Sequence, residues 1–223
     1  MSKRPGFALI ALLVVAALPR AAGAGKVTGK LELPAPPERP PSATRGFLDR
    51  VENQIADVQK PAVAPFLLVA LESDGAKADN PADVTWEIVG DSFGKPIVGV
   101  PVGGNLVIVN ATRTPRALSA AEDGKLIDGI VNPNGQKPVK ITAAKVYTIT
   151  AANAPYLRGK IVGVPSTHFA YVDATGKFEL DVPDGSYKVR VFYRDGWIER
   201  DETVTVPFKG ELQLKGPLAP AKK

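Results

Sequence analysis

Short runs of β-branched and apolar residues, bounded by Gly, Pro, Asn or Asp, recur along the chain from residue 66 onward. Runs of this length with turn residues at both ends predict β-strands. Ten such runs cover residues 66–72, 84–89, 96–102, 105–110, 139–142, 145–150, 160–164, 178–182, 187–194 and 202–206. An alternating run nearer the N-terminus, 27–33, predicts one more strand. Because no amphipathic helix separates the ten runs, the pattern predicts an all-β chain of antiparallel sandwiches.

Two turns between these runs predict specific backbone conformations. At 173–176, Asp173 can bond its own backbone two residues on, and Gly176 tolerates positive φ, which predicts a hairpin. At 182–185, Pro183 fixes the first turn position and Gly185 closes the turn, so positive φ is expected there too. The strand that follows is predicted to have two faces. Tyr187, Val189, Val191 and Tyr193 form an apolar face, and Lys188, Arg190, Phe192 and Arg194 form a basic row that favours a solvated face over an anion site.

The first 24 residues have the pattern of a secretory signal. Lys3 and Arg4 precede an apolar run at 7–18, and the small residues Ala22 and Ala24 flank Gly23 where a signal peptidase cleaves. The apolar run is shorter than the roughly 20 residues needed to span a bilayer. We therefore expect cleavage after Ala24, no transmembrane segment in the mature chain, and a periplasmic or secreted location.

The region 25–62 is expected to hold the N-terminal strand, a Pro-rich connector, and a segment of ambiguous structure. In that segment, 46–59, Phe47, Val51, Ile55 and Val58 are spaced as on one face of a helix. The same residues could pack an extended strap, so both interpretations stay open. At the other end of the chain, residues 215–223 are rich in Pro, Ala and Lys and are expected to be disordered.

Composition removes most kinds of chemistry. The chain has no Cys and one His, His168, which excludes disulfides, thiolate nucleophiles and sites built on two histidines. We expect His168 to be a packing residue and the protein not to be an enzyme. The formal net charge of +5 falls to +2 when the three basic residues of the first 24 are set aside, because 25 basic then face 23 acidic residues. That balance argues against nucleic acid as a partner.

The segment 169–189 resembles a known module. It contains Phe169-Ala170-Tyr171, the hairpin Asp173-Ala174-Thr175-Gly176-Lys177-Phe178, and the turn Val182-Pro183-Asp184-Gly185-Ser186-Tyr187. This spacing resembles the carboxypeptidase regulatory-like β-sandwich, whose pattern is an aromatic-Ala pair, an Asp-x-x-Gly-x-Phe hairpin and a Val-Pro-x-Gly-x-Tyr turn. The resemblance implies a small β-sandwich in the C-terminal part of the chain.

A second resemblance covers 93–119 and 149–164. Val100-Pro101-Val102-Gly103, before a strand ending in Asn110, is similar to the plastocyanin-like (cupredoxin) part of methylamine-utilisation-type periplasmic proteins. In that family a copper-binding His follows the Asn by six residues, and a Cys-x-x-His-Pro-x-Met cluster precedes the last strand. The matching positions here are Arg116, Ala151, Ala154 and Leu157, with Pro155 retained and an aromatic at Tyr156.

These positions predict that the copper site has been lost. A blue-copper centre needs two imidazoles, a thiolate and usually a thioether, and none of the four residues supplies one. A guanidinium about 4 Å from Cu²⁺ would also repel it by about 8 kcal/mol at an effective dielectric near 20. We therefore expect no cofactor.

The predicted architecture is a cupredoxin-like Greek-key sandwich followed by, or interleaved with, a small regulatory-like sandwich. The predicted parts are 1–24 (signal), 25–62 (strand, connector, helix or strap), 63–164 (cupredoxin-like), 165–208 (regulatory-like) and 209–223 (tail). We expect a noncatalytic binding or structural protein of the cell envelope, with a protein or glycan partner on a surface comprising Arg116, Pro155, Tyr156 and Leu157. The alternatives are an electron-transfer or copper-handling protein with nonstandard ligands, and a carbohydrate-binding module using Trp86, Tyr156 or Trp197.

Overall fold

The computed structural model describes residues 24–33, 62–73, 81–127, 129–216 and 218. Regular structure in these ranges consists of sixteen β-strands and one 3-10 turn, Ala64–Phe66, which confirms the predicted all-β class. The predicted signal segment up to residue 23, the predicted connector with its helix or strap, and residues 217 and 219–223 of the predicted tail lie outside the described residues. The strands are β1 Ala24–Leu31, β2 Leu67–Glu72, β3 Val84–Val89, β4 Ser92–Phe93, β5 Ile97–Pro101, β6 Asn105–Asn110, β7 Arg116–Ala120, β8 Ile130–Val131, β9 Gln136–Lys140, β10 Val146–Ala151, β11 Ala154–Val164, β12 Phe169–Tyr171, β13 Lys177–Pro183, β14 Gly185–Tyr193, β15 Gly196–Val206 and β16 Glu211–Leu214.

The strands form two sandwiches, each with its own apolar core. In the first, the sheet β4-β3-β6-β9 faces the sheet β5-β11-β10-β7-β8 across a core that includes Trp86, Ile108 and Ile149. In the second, the sheet β13-β1-β16 faces the sheet β12-β2-β14-β15 across a core that includes Val27, Val69 and Val191. The alternation of apolar residues along each strand produces these inward faces.

The two sandwiches stack face to face through a third apolar cluster. Leu68, Ala70 and Phe192 of the second sandwich meet Ile97, Val162 and Val164 of the first. The two inner sheets are therefore buried on both faces, which explains the unbroken apolar runs of β2 and β5. Gly99 lies at this contact, where a Cβ would overlap the side chains of Leu68 and Phe169.

Two strands lie in a different unit from the one predicted. The run at 66–72 was expected in the 63–164 unit, but β2 pairs with β12 and β14 of the second sandwich. The region 209–223 was expected to be a tail, but β16 pairs in parallel with β1. Strand pairing depends on partners far along the chain, and the apolar pattern of a single run carries no information about them.

Positive φ was predicted at Gly176 and Gly185, and the prediction is confirmed for Gly176 and wrong for Gly185. Gly176 has φ +88, as expected, and Asp173 Oδ1 accepts hydrogen bonds from the backbone of Thr175 and Lys177 at 2.7 and 2.9 Å. Gly185 does not have positive φ, because it is already the first residue of β14 and pairs with Val206.

The apolar face of β14 is buried as predicted. Phe192 is buried as well, since the opposite face of β14 packs against the first sandwich.

Candidate functional site

The four positions assigned to lost copper ligands lie at one end of the sheet β5-β11-β10-β7-β8. Arg116 begins β7, Ala151 ends β10, and Ala154 and Leu157 lie in the first half of β11. Ala151 is opposite Ala154 on one side and opposite Leu118 on the other. All four side chains are buried, and Arg116 lies on the same inward side of β7 as Leu118 and Ala120. They therefore point into the first sandwich at the same end.

The stretch 151–157 is a tight hairpin. Ala152 and Asn153 form the turn between β10 and β11, and Asn153 holds the hairpin against β7. The Ala117 N–H donates to Asn153 Oδ1 at 3.2 Å, and Asn153 Nδ2 donates to the Pro115 carbonyl at 2.7 Å. These bonds place Arg116 directly beside the hairpin turn.

A buried asparagine shapes the loop that leads into Arg116. Asn110 is fully buried, and its Nδ2 donates to the carbonyls of Thr114 and Val131, each at 2.9 Å. Its Oδ1 accepts from the Thr112 hydroxyl at 2.6 Å. Both the oxygen and the nitrogen of the Asn110 side-chain amide therefore have protein partners. Through these bonds the Asn110-Ala111-Thr112 triplet holds residues 111–115 in place.

Arg116 ties three separate segments together from inside the sandwich. Its Nη2 donates to the Gly90 carbonyl at 3.2 Å and contacts the Asp91 carboxylate at 3.4 Å, and its Nη1 donates to the Tyr156 hydroxyl at 3.4 Å. The Tyr156 hydroxyl also donates to Asp91 at 3.3 Å. Arg116 is only 5% exposed, and its Nε has no partner among the described residues. The guanidinium is therefore held by long hydrogen bonds, and its removal from water costs free energy of desolvation.

Replacing Arg116 by Met is expected to leave the free energy of unfolding within about 1 kcal/mol of wild type, because a neutral side chain of similar length removes the buried charge and its unpaired Nε. Replacing it by Ala should cost about 2 to 3 kcal/mol, because a cavity remains. Urea unfolding of both variants measures the difference. An equal loss in both variants would mean that the polar contacts, rather than the filled volume, stabilise this end of the sandwich.

The donor chemistry at these positions does not fit copper. Arg116, Ala151, Ala154 and Leu157 provide no imidazole, thiolate or thioether, and the Arg116 guanidinium is paired with Asp91. Within the described ranges, no group of three or more His, Cys, Asp or Glu side chains is placed to hold a metal ion.

The predicted partner surface is partly wrong. Leu157 is fully buried and Arg116 nearly so, so neither can contact a partner directly. Pro155 and Tyr156 are exposed. The residues missed by the sequence interpretation are Val89 and Ile130, which with Tyr156 are the large hydrophobic side chains exposed in the part of the chain that the structure describes.

Each of these three side chains adjoins Arg116 or a segment that Arg116 contacts, and we call them the apolar rim. Val89 is 52% exposed and precedes Gly90, Ile130 is 60% exposed and pairs with Ala117, and Tyr156 is 61% exposed. Val89 had a signal in the sequence, because it follows the exposed positions Thr85 and Glu87 on the outward side of β3. Ile130 had none, because its two-residue strand is too short to show a pattern.

The remaining candidate residues serve packing. His168 is half-buried with its ring edge-on to Tyr187, at 6.0 Å between centroids, and burial lowers the pKa of its imidazole. Trp86 is buried and stacks on Phe93 at 3.8 Å. Trp197 is half-buried and lies under Arg190, which also pairs with Glu72. Tyr156 is the exposed member of the three aromatics considered for sugar stacking, so those three do not form a common platform.

None of the helical structure in the described ranges has the length and apolar character needed to cross a bilayer.

Comparisons with known proteins give a limited result. No protein-family model matches the chain, and no curated protein matches it in sequence. Solved structures of amicyanin are similar to part of it: a mutant in the Cu(I) form and another reduced mutant each have 20% sequence identity, cover 43% of this chain and 98% of the amicyanin chain, and align with a TM-score of 0.34. Amicyanin belongs to the cupredoxins, the class that the sequence resembles. The similarity spans less than half of the present chain and is too low to transfer a function.

Proposed function

We propose that this protein is a noncatalytic binding module of the cell envelope that docks a partner protein through the apolar rim. The observation that carries the proposal is the position of the three exposed hydrophobic side chains, which all adjoin segments that Arg116 contacts. Single exposed apolar residues are ordinary on a protein surface, whereas a group of them at one end favours an interface.

Arg116 supports this role from beneath the surface. It fixes the Tyr156 hydroxyl and the Gly90 carbonyl, and Tyr156 is in turn bonded to Asp91. An aromatic side chain whose position is already set before binding loses little conformational freedom in a complex. Aromatic anchors of this kind often contribute the largest share of binding energy at an interface.

The charge at the rim favours a partner of particular chemistry. The Asp91 side chain is 79% exposed, follows the rim residue Val89 by two positions, and accepts a hydrogen bond from the hydroxyl of the rim residue Tyr156. Its carboxylate is paired with the buried Arg116 guanidinium and is also exposed to solvent. We infer a protein partner that presents an apolar side chain flanked by Lys or Arg. A glycan is less well supported, because Trp86 and Trp197 do not join Tyr156 in a stacking surface.

The proposal also covers the cellular location of the protein and the evolutionary origin of its two sandwiches. The pattern of residues 1–24 supports export to the periplasm or beyond, with the mature chain beginning at Gly25. The spacing in 169–189 supports descent of the second sandwich from regulatory-like modules. The residues at 116, 151, 154 and 157 support descent of the first from a copper-binding cupredoxin.

Photocrosslinking in cells that naturally express the chain tests the proposal. A benzophenone amino acid replaces Tyr156 or Ile130 in the rim, and Thr205, an exposed position on β15, as the matched control. We expect one protein adduct shared by the two rim positions and lost when Val89 is also changed to Asp. Adducts of equal yield and identity at Thr205, or no protein adduct at either rim position, would contradict protein docking at the rim. The mass of the exported chain reports the cleavage site in the same preparation.

A further inference from the structure

The contact between the two sandwiches opens into a groove beside the turn that joins β14 to β15. Thr148 and Lys160, which pair across β10 and β11, lie along its floor. Arg194 and Asp195 of the turn form its wall. The Lys160 ammonium forms an ion pair with Asp195 and donates to the Arg194 carbonyl at 3.2 Å. Lys160 and Asp195 line two cavities at this contact.

The two cavities differ in charge. One, of about 350 Å³, is lined by Arg158, Lys160 and Arg194, with Asp195 as its carboxylate. Since Asp195 is already paired with Lys160, Arg158 and Arg194 contribute the excess positive charge. The other cavity is lined by Glu122 and Asp123 together with Lys145 and Lys160. An anion is therefore favoured in the first cavity and disfavoured in the second.

The first cavity also has an apolar side. Phe66, Pro96 and Ile97 line it opposite the cationic groups. The Arg158 Nε donates to the Pro155 carbonyl at 3.1 Å, which uses one of the five donors of its guanidinium. A site with an apolar wall and a few convergent polar groups has the composition and size of a small-molecule site.

The backbone of Arg194 has a conformation that the two-residue loop between β14 and β15 requires and that a side chain makes unfavourable. Arg194 has φ +52, and the Asp195 N–H donates to the Tyr193 carbonyl at 2.6 Å, which closes a three-residue turn around Arg194. Positive φ in such a turn is strained for any residue with a Cβ, and Gly or Asn would suit it better. Strained residues of this kind cluster at ligand sites. Here the strained residue is Arg194, which lines the cavity and whose guanidinium also lies over the Tyr193 ring, 5.1 Å from its centroid.

We propose that this cavity binds a small organic anion, a carboxylate carried on an apolar or aromatic body. The guanidinium groups of Arg158 and Arg194 match the planar, two-oxygen geometry of a carboxylate. The wall of Phe66, Pro96 and Ile97 would cover the apolar body. The site is distinct from the apolar rim, so it does not depend on the docking proposal.

Titration of the full mature chain with benzoate tests the proposal, followed by calorimetry or by amide shifts in NMR spectra. We expect saturable binding of one benzoate, at least about tenfold weaker binding of benzyl alcohol, which lacks the charge, and of inorganic phosphate, which lacks the apolar body. Affinity should fall as salt is raised. Absence of benzoate binding, or equal binding of benzyl alcohol, would overturn the proposal.

Variants locate the site and separate binding from folding. Arg194→Gly removes the guanidinium and the backbone strain together, so it is expected to raise the thermal midpoint while it weakens benzoate binding about tenfold. Arg158→Gln should weaken binding to a similar degree without stabilising the fold. Lys188→Gln, at an exposed position on the same sheet outside the groove, is the matched control and should change neither quantity. Unchanged benzoate affinity in Arg194→Gly and Arg158→Gln, or an equal loss in Lys188→Gln, would overturn the assignment.

Discussion

Replacing Gly176 by Val is expected to destabilise the protein by about 3 to 4 kcal/mol. Gly176 has φ +88, a conformation that costs a residue with a Cβ about 1 to 2 kcal/mol. A Cβ at this position would also overlap the carbonyl oxygen of Leu31. The Gly176 carbonyl accepts from the Leu31 N–H at 2.7 Å, so any shift that relieves the overlap pulls the β12–β13 turn away from β1. Since β1 is the central strand of its sheet, the damage extends to both of its neighbours.

Three other glycines provide controls of graded severity in chemical denaturation. Gly124 has nothing within 4 Å of an added Cβ and no positive φ, so Val there should change the free energy of unfolding by less than about 0.5 kcal/mol. Gly185 would bring a Cβ only to ordinary contact with Tyr187, so its loss should be small. Gly216 is in open space but has φ +110, so Val should cost about 1 to 2 kcal/mol from the backbone alone. Equal midpoints for the Gly176 and Gly124 variants would contradict the packing of β1 against this turn.

The sequence predicted most strands of the fold but not their partners. Nearly every β-branched run became a strand, because alternation and turn residues are local signals. The strands that were missed are short or poor in β-branched residues, as in β4, β7 and β8. Assignment of β2 to the wrong sandwich has a different cause. Its partners β12 and β14 lie about a hundred residues further along the chain, and a run that is apolar on both faces fits either inner sheet equally well.

The burial of Arg116 could not be predicted from the sequence. Arg116 was expected on the surface, where guanidinium groups are usually found. It is buried because Gly90, Asp91 and Tyr156, which come from two other hairpins, close over it. These contacts span 26, 25 and 40 residues, so no local pattern could reveal them. The groove beside Arg194 has the same origin, because it exists only where the two sandwiches meet.

A quadruple variant with Arg116→His, Ala151→Cys, Ala154→His and Leu157→Met is expected to bind copper and to absorb visible light, whereas the wild-type protein is expected to stay colourless. The four side chains are buried on one side of neighbouring strands at one end of the sheet. Ala151 stands opposite both Ala154 and Leu118, and Arg116 is two residues from Leu118 on β7. The substitutions supply two imidazoles, a thiolate and a thioether there, and they remove the guanidinium that would repel the metal.

The triple variant that keeps Ala151 separates a thiolate site from general metal binding. It retains both new imidazoles and the thioether but lacks the thiolate that gives a blue-copper centre its colour, so it should bind copper more weakly and show no copper–thiolate absorption. Ala154 is fully buried, and His at that position is expected to cost about 1 to 3 kcal/mol by overpacking, so circular dichroism must first establish that both variants fold. A folded quadruple variant without copper–thiolate absorption would show that these positions do not descend from a ligand set. That outcome would remove the proposed cupredoxin ancestry but not the proposal of docking at the apolar rim, because the rim depends on Val89, Ile130 and Tyr156 and on no property of a former metal site.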